Sequence, residues 1–310
     1  MFFLPNPPPA SANLHETADF IEWSAWRHGV FSAREANQAI DQLDDNSYNE
    51  GCDDDSDETS EALDEVFNEI ERREQACGGG YPFRIAPVGN VLRCGYTEGN
   101  PRHLIYRYLL LSTRLNMKSN RVHAGVDGAL LLEELAAQVM RNYLGNSRAT
   151  SEVFGTAASG GFPAKVDRLC KRLGEGGGYQ NADGGRSFAK DAKLDVVTWV
   201  PFTDGQPGKL IVFTQCKTGS SWMDSLGDLS PEAFFKTWTR ERGTVLTPLR
   251  AFCVAEAANR TRWQEVSNRA GLFLDRCRII DFSQGLKENL IEQIRTWTSA
   301  AYENTLAAMA

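Results

Sequence analysis

Two β-rich runs, LDVVTWVPF (194–202) and KLIVFTQCK (209–217), flank the segment TDGQPG, and nothing else in the chain limits its fold as tightly. Asp-Gly and Pro-Gly steps between such runs specify an antiparallel hairpin. Both runs are otherwise apolar (Leu194, Val196, Val197, Trp199; Ile211, Val212, Phe213), so the hairpin is expected at the centre of a sheet. Polar groups are costly there unless something answers them. Three are present: Asp195, Gln215 and Lys217. Gln215 and Lys217 are two residues apart and share a face. Counting outward from Gly205 and Gln206 sets Asp195 opposite Gln215 or Cys216. Strand geometry then gathers a carboxylate, an amide oxygen and an ammonium ~5–7 Å apart.

That trio suits a hard divalent cation. Mg²⁺ (or Mn²⁺) wants oxygen ligands, keeps several waters and often takes only one or two carboxylates. Asp195 supplies the charge, and the Gln215 side-chain oxygen and the Cys216 backbone carbonyl complete the protein ligands. Lys217 then stands beside the water, able to orient it and to neutralise charge developing on a phosphate.

The elements around the hairpin point to one fold class. VDGALLLEELAAQVMRNYLG (126–145) reads as an amphipathic helix ending at Gly145, followed by a glycine-rich stretch to about residue 192 that holds a short basic helix, AKVDRLCKRLG. After the hairpin come a helix (231–242), a strand (248–257), a helix (260–271), a strand (272–282) and a terminal helix from Leu286. This order predicts an α/β sandwich around a central mixed sheet.

Asp195, a turn, then Gln215-Cys216-Lys217 resembles the D…(D/E/Q)xK signature of the PD-(D/E)xK nuclease superfamily, and is most similar to its Mrr-like and RecB-like branches. That family takes a further acid from the helix before the hairpin, where LEELAAQVM (132–140) is similar to its pattern. Two adjacent acids offer themselves. On a helical wheel Glu133 lies about 100° from the apolar centre and Glu134 about 155°. A residue reaching a buried metal belongs on the flank, which selects Glu133 with Glu134 as fallback. The match covers roughly residues 125–285. Leu194 replaces the motif's proline, Gln replaces the middle acid, and the 62-residue separation of Glu133 and Asp195 implies an insertion.

The resemblance implies a restriction-endonuclease-like fold and a Mg²⁺- or Mn²⁺-dependent endonuclease acting on DNA, with RNA left open. It implies a role in restriction or anti-phage defence, and leaves room for a homodimer and for an ATPase or sensor subunit as partner. Two other classes compete: a catalytically inactive relative that binds nucleic acid or a protein through the same fold, and an assembly protein organised by the N-terminal region.

That region, residues 1–80, reads as mostly helical and separate from a nuclease-like domain at 81–310. Pro5, Pro7, Pro8 and Pro9 extend the first residues. Residues 15–43 read as two short helices broken near Gly29, with Phe20, Trp23 and Trp26 as an apolar stripe. An acidic run at 41–60 is expected as a solvated, disordered-like loop that either shields the basic face or engages a partner. It lacks the central Gly and terminal Glu of a calcium loop. A helix around 60–76, one or two short strands within 81–94 and a helix over 103–115 complete this half.

Net charge is −8, an unpromising sign for DNA, but residues 41–75 carry −13 and 1–40 carry −2, leaving +7 for 76–310. The seven cysteines are scattered without a CxxC, which argues for reduced thiols and against a zinc site. All four histidines precede residue 124, which excludes a histidine-dependent hydrolytic centre in the second half. Neither a membrane-length apolar run nor a signal-type N-terminus is present, so the expected location is cytoplasmic. Further candidates are weaker. Lys190 and Lys193 could meet phosphate, Thr218, Ser220, Ser221 and Trp222 could line the site, and Arg240 and Arg242 could support it. GTAASGG (155–161) and GEGGGYQNADGG (174–185) do not match a P-loop and read as insertion loops.

Overall fold

In a computed structural model, described for residues 2–9, 11–44, 55–87, 90–145, 147–155, 160–182, 184 and 192–309, the hairpin occupies the middle of the molecule. The elements run α1 (Leu14–His28), β1 (Val30–Ser32), α2 (Ala33–Asp44), α3 (Asp55–Ala76), β2 (Phe83–Ile85), β3 (Val91–Cys94) and α4 (Pro101–Arg114). A β4 (Val122–His123) and β5 (Val126–Asp127) ribbon leads into α5 (Gly128–Tyr143), then β6 (Thr150–Val153) and α6 (Phe162–Leu173). Next come β7 (Val196–Trp199), β8 (Ile211–Lys217), α7 (Pro231–Trp238) and β9 (Leu249–Val254). The chain closes with α8 (Trp263–Ala270), β10 (Leu272–Leu274), α9 (Arg276–Asp281) and α10 (Glu288–Ala307).

The molecule is mixed α/β around a five-stranded mixed sheet of order β10-β9-β8-β7-β6. β7 runs antiparallel to β6 and β8, while β8, β9 and β10 are parallel. Both faces are covered, as the apolar hairpin requires. Val196 and Val212 pack with Leu132, Leu135, Ala136 and Val139 of α5, and behind them lie α4 and α10. On the other face, Val197, Trp199, Ile211 and Phe213 meet Val166 and Leu169 of α6 and Phe234 and Phe235 of α7. Gly128 lets α5 start hard against α10, since a Cβ there would stand 2.5 Å from the Trp297 ring.

The N-terminal helices share the core of the sheet's α5 side: Phe20, Trp23, Val66 and Ile70 belong to the same cluster as Leu132 and Trp297. Asn13 starts α1 with a capping box closed by Glu16. Asp19 of α1 is fully buried and accepts from Arg73 of α3 (2.7 Å), Arg114 of α4 (2.6 Å) and Arg276 of α9 (2.8 Å). Glu22 accepts from Arg73 and from the hydroxyls of Tyr81 and Tyr106. Burial alone would push the Asp19 carboxyl up, but the three guanidiniums outweigh it and hold it well below the usual carboxylate range.

Several local expectations are corrected. Residues 272–282 are not one strand: β10 stops at Leu274 because Asp275 accepts from the Arg278 N–H and caps α9. The helix after the hairpin ends at Trp238 rather than residue 242, where Thr239 turns extended and its hydroxyl bonds the Phe235 carbonyl. The glycine-rich stretch contains an edge strand, β6, too short to show a period. The break at Gly29 leads into β1, not directly into a second helix. Of the acidic run, 41–44 belong to α2 and 55–60 to α3, so those parts are helical instead of loop; residues 45–54 lie outside the described residues.

Candidate metal centre

The β7–β8 register pairs Trp199 with Ile211 and Val196 with Thr214. The ladder ends at that pair, and the Asp195 N–H reaches the same Thr214 carbonyl, so Asp195 and Val196 both stand against Thr214 instead of Asp195 pairing with Gln215 or Cys216 as counting from the turn expected. Gln215 and Lys217 continue the face of Phe213, the side covered by α6 and α7, whereas Asp195 meets Glu133 of α5 beside Gly155.

At Asp195 the ladder changes character. The Asp195 N–H donates to the Thr214 carbonyl (3.0 Å), but the Cys216 N–H donates to the Asp195 Oδ2 (2.7 Å) instead of a backbone oxygen. A strand residue turns its N–H and C=O to the same side. The Cys216 carbonyl therefore faces Asp195, where its proposed use as a ligand requires it. The Asp195 carbonyl is taken from the other side by the amides of Phe154 (2.7 Å) and Gly155 (2.9 Å), just past β6.

Gly155 joins the second acid to the first. A Cβ built there would lie 2.6 Å from the Glu133 Oε2 and 3.0 Å from the Asp195 Oδ1. The carboxylates of α5 and the hairpin thus converge on one gap, which the glycine leaves open. Glu133 is 8% exposed, whereas the half-buried Glu134 lines a separate surface cleft with Gln138, Arg141 and Lys287. Of the two acids, Glu133 is the one beside Asp195.

Gln215 is 1% exposed, and both its Oε1 and its Nε2 are buried without a hydrogen-bond partner. A buried amide left unpaired costs about 1–3 kcal/mol. The neighbouring Thr214 hydroxyl is likewise buried without a partner. The two carboxylates at the Gly155 gap fit an oxygen-seeking cation, and the unpartnered Gln215 amide belongs to the residue beside Cys216, whose N–H binds Asp195. Among the described residues no three His, Cys, Asp or Glu side chains form a ligand cluster, so two carboxylates and an amide are the set available. Lys217 is half-buried at the end of β8, and its carbonyl accepts from Ala255. The Cys216 side chain faces the α5 side, where its hydrogen bond with Cys253, then burial, then the charges of Asp195 and Glu133 push its thiol well up. It stays protonated, leaving only its backbone for coordination.

The outlying candidates scatter. Trp222 is core, packed with Phe252 and Phe273 and donating to Glu256 (2.6 Å). Thr218 and Ser220 are half-buried beyond the strand end, and Ser221 is exposed. Arg240 and Arg242 are exposed past α7. Lys193 is exposed and lies 3.9 Å from Asp228; Lys190 lies outside the described residues. Sequence reasoning missed Gly155, met only as part of a glycine-rich loop, and Lys165, met only as part of a basic helix. Lys165 is buried, with its ammonium donating to the Gly155 carbonyl at 2.6 Å. No motif marks either residue, because each gains its meaning only when β6 is paired to β7.

No family model, curated protein or solved structure matches the chain.

Proposed function

We propose that the chain is a metal-dependent nuclease of the restriction-endonuclease-like fold that hydrolyses phosphodiester bonds, with DNA as substrate. The observation that carries this reading is the convergence of the Glu133 and Asp195 carboxylates on the gap at Gly155, with the Asp195 Oδ2 bound to the Cys216 N–H, next along β8 from the buried, unpartnered amide of Gln215. Glu133, Asp195, the Gln215 Oε1 and the Cys216 carbonyl would hold Mg²⁺ or Mn²⁺. When bound, the cation supplies Lewis-acid charge to the phosphate and makes a water more acidic. Lys217 orients the attacking water and offsets negative charge growing on the scissile phosphate. The apolar packing of Leu132, Leu135 and Val196 beside the two carboxylates limits bulk water there and strengthens each electrostatic contact.

DNA is favoured by the resemblance and by the +7 charge of residues 76–310. Endonucleolytic cleavage, a place in restriction or anti-phage defence, a sensor or ATPase partner and a cytoplasmic location belong to the same proposal. Among the described residues no helix is long and apolar enough to cross a membrane.

Purified full-length protein with Mn²⁺ should nick or degrade plasmid DNA. Lys217→Ala and Asp195→Ala should each lower the rate at least ~10²-fold, the scale of losing one preorganised electrostatic contact, while the fold persists. Equal rates in wild type and variants would defeat the assignment. Metal-dependent stabilisation without cleavage would leave a catalytically inactive binding protein.

A further inference from the structure

Lys165 is an unusual cation for its surroundings. It is 5% exposed, yet among the described residues its ammonium has no carboxylate partner and makes one hydrogen bond, to the Gly155 carbonyl. Glu152 lines the same small cavity, but its ion pairs are with Arg168 and Arg172. An ammonium taken out of water without a counter-charge is costly. Lys209 is buried in a similar way against the Leu173 carbonyl, but that carbonyl ends α6, where a cation complements the helix dipole. No helix end explains Lys165.

Its acceptor explains it better. The Gly155 carbonyl takes the Lys165 ammonium at 2.6 Å, and the Gly155 N–H gives itself to the Asp195 carbonyl at 2.9 Å. The Cα between them faces the oxygens of Glu133 and Asp195. The lysine therefore fixes, through one peptide, the wall of the gap that the two carboxylates share.

We propose that Lys165 is a positioning residue of the metal centre, pinning Gly155 so that the space between Glu133 and Asp195 stays open for a divalent cation. This rests on the reading of that gap as a metal site, and its test reads binding instead of cleavage. Groups one step outside the ligands are worth 10–100-fold in metal affinity as an order of magnitude, roughly the effect expected here.

The test is a thermal-shift titration of the full chain with Mn²⁺ alone, in the absence of nucleic acid. Wild type should be stabilised. Lys165→Met, which keeps the length and loses the donor and the charge, should raise the Mn²⁺ midpoint about tenfold or more, with the metal-free Tm close to wild type. Gly155→Ala should raise it as well, because its methyl fills the gap while charge and donors are untouched; the Gly155 backbone is outside the left-handed region, so alanine is not strained there. Lys171→Met, an exposed change on the same helix, should leave the midpoint alone. A wild-type midpoint in folded Lys165→Met and Gly155→Ala overturns the inference, as does an equal shift in Lys171→Met. If Lys165→Met does not fold, Gly155→Ala decides by itself. Absence of any Mn²⁺ stabilisation in wild type overturns the metal site and the inference together.

Discussion

Replacing Gln215 with methionine should make the metal-free protein more stable while ending its response to divalent cations. Methionine matches glutamine in length and flexibility and fills irregular apolar space. It removes an amide whose Oε1 and Nε2 are both buried and unpaired. Relief of that group is worth about 1–3 kcal/mol. For a chain of 310 residues, an unfolding entropy of about 2.1 cal/mol/K per residue makes 1 kcal/mol equivalent to about 1.5 °C in Tm. The expected gain is thus about 2–5 °C, read by scanning calorimetry in the presence of a chelator. A second scan with Mn²⁺ should move wild type upward and leave Gln215→Met where it was. A Tm loss of that size in the chelated variant would show that the amide is structurally satisfied, and the argument for a ligand would fail. Retained Mn²⁺ stabilisation in the variant would refute it equally.

Other changes separate function from architecture. Glu133→Gln should lower plasmid cleavage by at least ~100-fold, whereas Glu134→Gln, in its separate cleft, should stay within about threefold; equal losses in a nicking assay would undo the choice between them. Asp19→Asn leaves Arg73, Arg114 and Arg276 facing a neutral amide in a sealed core, so a cost of about 3–5 kcal/mol is expected from urea unfolding at pH 7. The folded Asp19 carboxyl is depressed, so its stabilisation is fully present above the unfolded value of 3.8 and is lost as pH falls below it. Wild type should therefore lose stability steeply below about pH 4, and Asp19→Asn should flatten that slope. Deleting residues 1–44 removes Asp19 and Glu22 from the same three arginines and should give insoluble protein; a soluble, cooperative fragment would show that the buried ionic cluster is dispensable.

The hairpin was legible because its information is local. Turn residues at 203–208 and two apolar runs set a register that the structure places at Val196 opposite Thr214; side-chain alternation stops there, because the Asp195 N–H shares the Thr214 carbonyl, a local irregularity that counting from the turn does not reveal. Glu133 was legible for the same reason, since a helix wheel needs only its own helix. β6 was not, because four residues of the type Thr-Ser-Glu-Val carry no period and owe their conformation to pairing with β7. Gly155 and Lys165 depended on β6 and were lost with it. The split of 272–282 into β10 and α9 turned on Asp275, a cap that a reading of apolar β-rich sequence overlooked. The attachment of α1 was also illegible: Asp19 and Glu22 look like polar positions on a surface helix until arginines from residues 73, 114 and 276 arrive to bury them.

The most direct measurement is anomalous diffraction from crystals of the full chain soaked in Mn²⁺. The account predicts a peak at the gap beside Gly155, with oxygens of Glu133, Asp195 and Gln215 at about 2.0–2.2 Å. A structure with Mn²⁺ bound elsewhere, and the Gln215 amide still unpaired or hydrogen-bonded to protein alone, would contradict it.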